Sequence, residues 1–201
     1  MAYDLVSASS QRLRASNPLT GLPFTFAGWV NYNASQNSVL IGTASTTQST
    51  NYIYLGVDSS FRVYSRFTTS NTPTLTAGTW NHLAATFSSS AGETFLNGAS
   101  VRTSAGGTYF ASMDRLSVGC VDRAVATLFT DGQVAECGVW NAILSAAEIA
   151  SLAKGFTPDQ VNPQALIYYV PLVKDLTEVR GGRTITNVNS ATVATHPRII
   201  T

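Results

Sequence analysis

Charged side chains are the scarcest class in this sequence. Twelve Lys and Arg and eleven Asp and Glu make up 11% of 201 residues, under half the usual share of about 25%. Net charge is +1, and no basic stripe offers the phosphate neutralisation on which nucleic-acid binding depends. No apolar run approaches the ~18 residues of a membrane span. The opening Met1-Ala2-Tyr3-Asp4 has neither the basic nor the apolar region of a signal peptide, so synthesis in a cytoplasm is expected. Cysteine is nearly absent: Cys120 and Cys137 lack metal-type spacing and are expected to be free, half-buried thiols in a reducing compartment. The two histidines, His82 and His196, stand too far apart in sequence to suggest a metal site. A Gly-rich phosphate loop, a nucleophile elbow and a Cys–His pair are all missing.

Ser and Thr fill the place of the missing charge, at roughly a quarter of the chain, and Thr favours strands. Turn signals recur at the short spacing of a β-sandwich. Strands are expected over residues 24–32, 39–43, 52–57, 61–67, 80–87, 93–96, 116–120, 134–140 and 165–171. In the run 52–57, Ile53, Leu55 and Val57 share one face; in 61–67, Phe61, Val63, Ser65 and Phe67 do, leaving Arg62, Tyr64 and Arg66 on the wetter side. Asn97-Gly98 predicts a type I′ hairpin turn, since both residues tolerate φ > 0. Asp58-Ser59-Ser60 reads as a second turn. Ser145-Ala146-Ala147-Glu148 is a capping box that opens a short helix near 145–154, with Gly155 placed to end it. All 201 residues are expected in one domain, long enough for a single core.

Four segments together resemble laminin-G-like jelly rolls of the concanavalin A-like group. Phe24-Thr25-Phe26-Ala27-Gly28-Trp29-Val30 is similar to that family's "F-T-x-x-x-W-V" strand. Residues 78–87, with Trp80, His82, Thr86 and Phe87, resemble "G-x-W-x-H-x-A-x-T-F", and Phe95-Leu96-Asn97-Gly98 its "x-L-N-G" hairpin. Leu116-Ser117-Val118-Gly119, residues 131–141 and residues 144–149 follow the pattern "L-S-I-G … G-x-I-D-E-V-x-I-Y-N-x-x-L-S-x-x-E-I". The acidic pair "D-E" of that pattern is here Ala135-Glu136. Residues 3–13 resemble the family's opening strand, and residues 166–172 with 196–199 a closing segment seen in such domains from bacteria and their viruses. The resemblance implies an all-β, two-sheet antiparallel jelly-roll sandwich with one short helix.

Trp29, Trp80 and Trp140 each sit in an apolar run and are read as core. Both histidines are read as structural, His82 as a hydrogen-bonded residue within its strand and His196 within the C-terminal segment. Arg62, Tyr64 and Arg66 form the candidate binding surface. Relatives hold calcium at the sandwich rim through carboxylates, for which Asp131 and Glu136 are the candidates, although Ala135 removes one family ligand. Glycosidases of this superfold carry an "E-x-D-x-x-E" strand that pairs nucleophile and acid; none exists here, so no enzyme, catalytic residue or cofactor is expected. The first functional expectation is a structural protein of a bacteriophage particle: a capsid decoration, head fibre or tail adhesin in contact with other virion proteins and with copies of itself. It rests on cytoplasmic synthesis and low charge. The alternative is a carbohydrate-binding lectin module, with cell-surface glycans as partner. Neither reading involves nucleic acid or membrane.

Overall fold

The protein is described from a computed structural model covering residues 2–65, 68–109, 111–173 and 175–199. Its strands in chain order are β1 (Ala2–Leu5), β2 (Arg12–Ser16), β3 (Phe24–Tyr32), β4 (Ser38–Ala44), β5 (Tyr52–Val57), β6 (Arg62–Ser65), β7 (Thr68–Thr74), β8 (Asn81–Phe87), β9 (Ala91–Leu96), β10 (Ala99–Ala105), β11 (Arg115–Val118), β12 (Gly132–Trp140), β13 (Leu166–Val170), β14 (Thr186–Val188) and β15 (Thr192–Ala194). They form two antiparallel sheets. One has the order β10-β9-β8-β3-β12-β1-β15, with β13 also on β12; the other runs β14-β2-β11-β4-β5-β6-β7. The two-sheet sandwich expected from the alternating runs is therefore what the chain builds. Residues 3–13 are not one strand, however. A 3-10 turn at Ser7–Ser9 splits them, and β1 and β2 join opposite sheets.

The core lies between the sheets. Phe24, Phe26, Val30, Leu83 and Phe87 face Leu13, Ile41, Ile53, Leu55 and Val63 across it. The Phe24 and Phe87 rings stack at 4.7 Å. A second apolar layer covers the outer face of the larger sheet, where Ile149 and Leu152 of helix α1 (Ala146–Ala153) pack with Trp140, Phe95 and Tyr169. The capping box forms as read: Glu148 N donates to Ser145 Oγ, and Ser145 N to Glu148 Oε2 at 2.7 Å. Asn97 and Gly98 take φ of 50° and 85°. A Cβ on Gly98 would lie 3.1 Å from Ala150 Cα, so this turn also seats the helix.

Three readings need correction. Of the three tryptophans, only Trp140 is core; Trp29 and Trp80 are half-buried, Trp80 in the loop before β8. For Trp29 the reason is that a strand has two faces, and alternation alone does not say which one is sealed; Trp80 falls just before β8 begins. His82 is buried, but the hydrogen bonding expected of its ring is missing at Nδ1, which has no partner. Its ring packs edge-on against Trp29, and burial pushes its pKa down to about 3, so it is neutral in the fold. Both cysteines are free and more deeply placed than expected, fully buried. Burial, and then Asp122, pushes Cys120 up to about 12.

β12 changes partners midway. Residues Gly132–Val134 pair with β1 and Cys137–Trp140 with β13. Between them the register with β3 shifts, and Glu136 sits there at φ 53°, a bulge of the kind that re-aims a side chain.

Candidate functional site

The outer face of the smaller sheet carries an aromatic row. Alternation that points Ile53, Leu55 and Val57 into the core turns Tyr52 and Tyr54 outward, and Tyr64 of the neighbouring β6 joins them. The rings lie nearly parallel, Tyr52 to Tyr54 at 6.0 Å and Tyr54 to Tyr64 at 5.4 Å. Glycine makes room for them. Gly42 pairs with Tyr54 and Gly56 with Tyr64, and a Cβ on Gly42 would come within 2.9 Å of the Tyr54 Cβ.

Guanidinium groups bound the row. Arg62 lies on the same face as Tyr64 and is held by Asp58, whose Oδ2 takes both Nε and NH2 at 2.7 Å. Burial would raise the Asp58 carboxyl, but hydrogen bonds from Arg62 and from the Arg62 and Ser60 amides outweigh it and hold the group below the ordinary range. Arg123 reaches in from the loop after β11, its Cζ 5.0 Å from the Tyr52 ring centre and its NH1 on the Ser49 carbonyl. That loop is fastened by Asp122, which takes Arg12 Nε at 3.1 Å and lies 3.7 Å from Arg115 NH1. Val121 and Leu128 of the loop pack beside the tyrosines.

Of the residues read as a binding surface, Arg62 and Tyr64 are thus brought together; Arg66 lies outside the described residues. Tyr52, Tyr54 and Arg123 were missed. The alternation that marked the buried face of β5 also marked its tyrosines, whereas nothing local places Arg123 over Tyr52. Tyr54, the middle ring, is itself buried, 9% exposed, so the surface presents the half-buried Tyr52 and Tyr64 rings beside the Arg62 and Arg123 guanidinium groups. That chemistry suits a ligand rich in hydroxyl groups.

The calcium candidates do not fit a metal. Asp131 precedes β12 and accepts from Asn33 Nδ2. Glu136 sits five residues on, roughly 15 Å along a strand. Its Oε2 accepts from the Tyr169 hydroxyl, and His196 Nε2 lies 2.9 Å from its Oε1. Among the described residues no three His, Cys, Asp or Glu gather as a metal site would require.

No curated protein matches the sequence. Among solved structures the fold is similar to a putative carbohydrate binding protein from Bacteroides ovatus, with TM-score 0.65, 13% identity, and 94% of this chain and 60% of that one covered. It is similar to the Ruminococcus gnavus IT-sialidase CBM40 bound to alpha2,3 sialyllactose, with TM-score 0.57, 15% identity and coverage of 76% and 92%. A heptameric SAP-like pentraxin from Limulus polyphemus matches with TM-score 0.57, 14% identity and coverage of 71% and 75%. At these identities the likeness is one of fold. The sequence itself matches a family model over residues 6–150, most of the span that carried the motifs, and the chain belongs to the concanavalin A-like lectin/glucanases superfamily.

Proposed function

We propose that this domain binds carbohydrate and does not cleave it, and that the outer face of the smaller sheet is where it binds. The observation that carries this reading is the Tyr52–Tyr54–Tyr64 row between Arg62 and Arg123. Two of the structural relatives named above support it by what they are described as binding. The buried carboxylates support the second half. Glu136 is engaged by His196 and Tyr169, Asp122 by Arg12, and Glu178 by four backbone amides. These contacts fit structural roles, and no E-x-D-x-x-E strand pairs any of these carboxylates as nucleophile and acid. None of the three relatives named above is described as part of a virus particle.

A glycan array followed by calorimetry on the hits tests the reading. Binding is expected, with Tyr64→Ala weakening it about tenfold or more, the loss of about 1.4 kcal/mol that one aromatic contact supplies, and with the thermal transition little changed. Failure to bind any glycan at millimolar concentration, or release of reducing sugar abolished by Glu136→Gln, would remove it.

A further inference from the structure

Alternation along β2 points Leu13 and Ala15 into the core and turns Arg12, Arg14 and Ser16 to the outer face of the smaller sheet. The neighbouring β11 adds Arg115, which pairs with Ser16, while Arg14 pairs with Ser117. Arg14 and Arg115 are therefore diagonal neighbours on adjacent strands, a spacing of about 7–8 Å at which like charges repel. Three of the twelve cationic side chains in a chain poor in charge share this one patch.

The patch is only partly neutralised. Asp122 Oδ1 accepts from Arg12 Nε at 3.1 Å, but its Oδ2 stands 3.7 Å from Arg115 NH1, beyond hydrogen-bond reach. Arg12 also donates to the Ser10 carbonyl. Arg14 is half-buried, and among the described residues it has no hydrogen-bond or ion-pair partner. Between Arg14 and Arg115 the surface sinks into a recess of about 210 Å³, with the Ser16, Thr184 and Thr186 hydroxyls on its rim. Asp114 lines it too, but its oxygens are committed to Thr46, Oδ1 to the amide at 2.8 Å and Oδ2 to the hydroxyl at 2.6 Å. Arg12, Arg14 and Arg115 set against Asp114 and Asp122 leave one positive charge. Free guanidinium donors, neutral hydroxyls and a single surplus charge suit a monoanion with two or three oxygens.

The recess shares its face with the tyrosine row. Arg14, Ser117, Gly42 and Tyr54 form one cross-strand row, and Arg115, Ala44 and Tyr52 the next. At about 4.8 Å per strand, Arg115 stands about 10 Å from Tyr52 and Arg14 about 14 Å from Tyr54. The loop after β11 crosses between them. Its Val121 packs beside Tyr54, its Asp122 faces Arg12 and Arg115, and its Arg123 faces Tyr52. Resting on the reading of this face as carbohydrate-binding, we propose that the recess between Arg14 and Arg115 is an anion subsite, and that the saccharide bound here carries a carboxylate or sulfate group seated in it. The guanidinium groups donate to the anion, and the uncharged part of the sugar lies toward the tyrosines.

Calorimetry at low salt tests the subsite. The probes are trisaccharides containing a uronic or sialic acid, each against its methyl ester, and sulfated trisaccharides against their unsulfated parents. The charged member of at least one pair is expected to bind at least tenfold more tightly, with the advantage shrinking as salt is raised; the pair that shows it identifies the anion. Arg14→Gln should erase the advantage while neutral sugars still bind and the thermal transition holds, because Arg14 ties no other part of the fold. Tyr64→Ala should weaken both members of a pair alike. An advantage that survives Arg14→Gln would overturn the subsite. So would equal affinities within every pair, and if that binding still depended on Tyr64 the wider carbohydrate reading would stand without it. No binding by either member of any pair would remove both.

Discussion

Trp140→Ala should lower the unfolding free energy by about 3–5 kcal/mol, a fall in Tm of roughly 6–20 °C for a domain of this length. Trp140 is fully buried on β12, its ring lying over Gly138, where a Cβ would come within 2.6 Å of Cη2. It fills the layer between the larger sheet and helix α1, beside Leu144, Ile149 and Leu152. Its Nε1 donates to the Val161 carbonyl at 2.9 Å, so truncation leaves both a cavity and an unpaired acceptor. Trp80→Ala should cost about half of that or less, because one side of its ring already meets water and little cavity forms. Urea unfolding followed by circular dichroism compares the two. Equal losses would mean that the start of β8 is sealed after all.

Glu178→Ala and Glu178→Gln should each cost about 2–4 kcal/mol, and the glutamine should rescue little. Glu178 is buried in the segment after β13. Oε1 accepts from the amides of Tyr169 and Arg180, at 3.1 and 2.8 Å, and Oε2 from those of Gly181 and Arg183, at 2.7 and 3.1 Å. A carboxylate has acceptors on both oxygens; a carboxamide turns an NH2 toward two N–H donors. Glutamine is thus isosteric but wrongly wired. The same segment covers the free edge of β13: Val179 N donates to the Tyr169 carbonyl, and Arg180 and Arg183 reach the Leu166 and Ile167 carbonyls. Losing Glu178 should therefore speed exchange of the Tyr169 amide as well as lower global stability. Full rescue by glutamine would show that packing, not the carboxylate, holds the segment.

The parts of the molecule legible in sequence were those whose cause is local. β3 and β5 fall on the expected residues, and β12 gains only Gly132 and Gln133 at its start, because apolar and β-branched residues there repeat with the period of a strand. The capping box and the Asn97-Gly98 turn each need only a few consecutive residues. β14 and β15 were not legible. They are three-residue edge strands of Thr, Asn, Val and Ala with no buried face, made strands only by the partners they happen to meet. The site divides the same way. Tyr64 and Arg62 could be placed on an open face from alternation, whereas Arg123 over Tyr52 and His196 on Glu136 depend on loops and termini arriving from far along the chain. Tryptophan misled for a related reason: hydrophobicity reports that a side chain seeks cover, not which of the two outer faces has it.

The pairing of β3 with β12 places Tyr32 opposite Gly132, and that of β1 with β12 places Tyr3 opposite Val134. The middle of the larger sheet is thus closed by residues a hundred or more positions apart, while β8, β9 and β10 are joined by adjacent hairpins. The consequence is kinetic. The hairpins can form as soon as their own residues are present, but the sheet acquires its centre only after the chain has been made past β12 and long loops have been closed. Folding of such a topology belongs to the slow, millisecond-to-second class. Throughout that interval the edge of β3 that β12 later covers stands open as a template for any other strand.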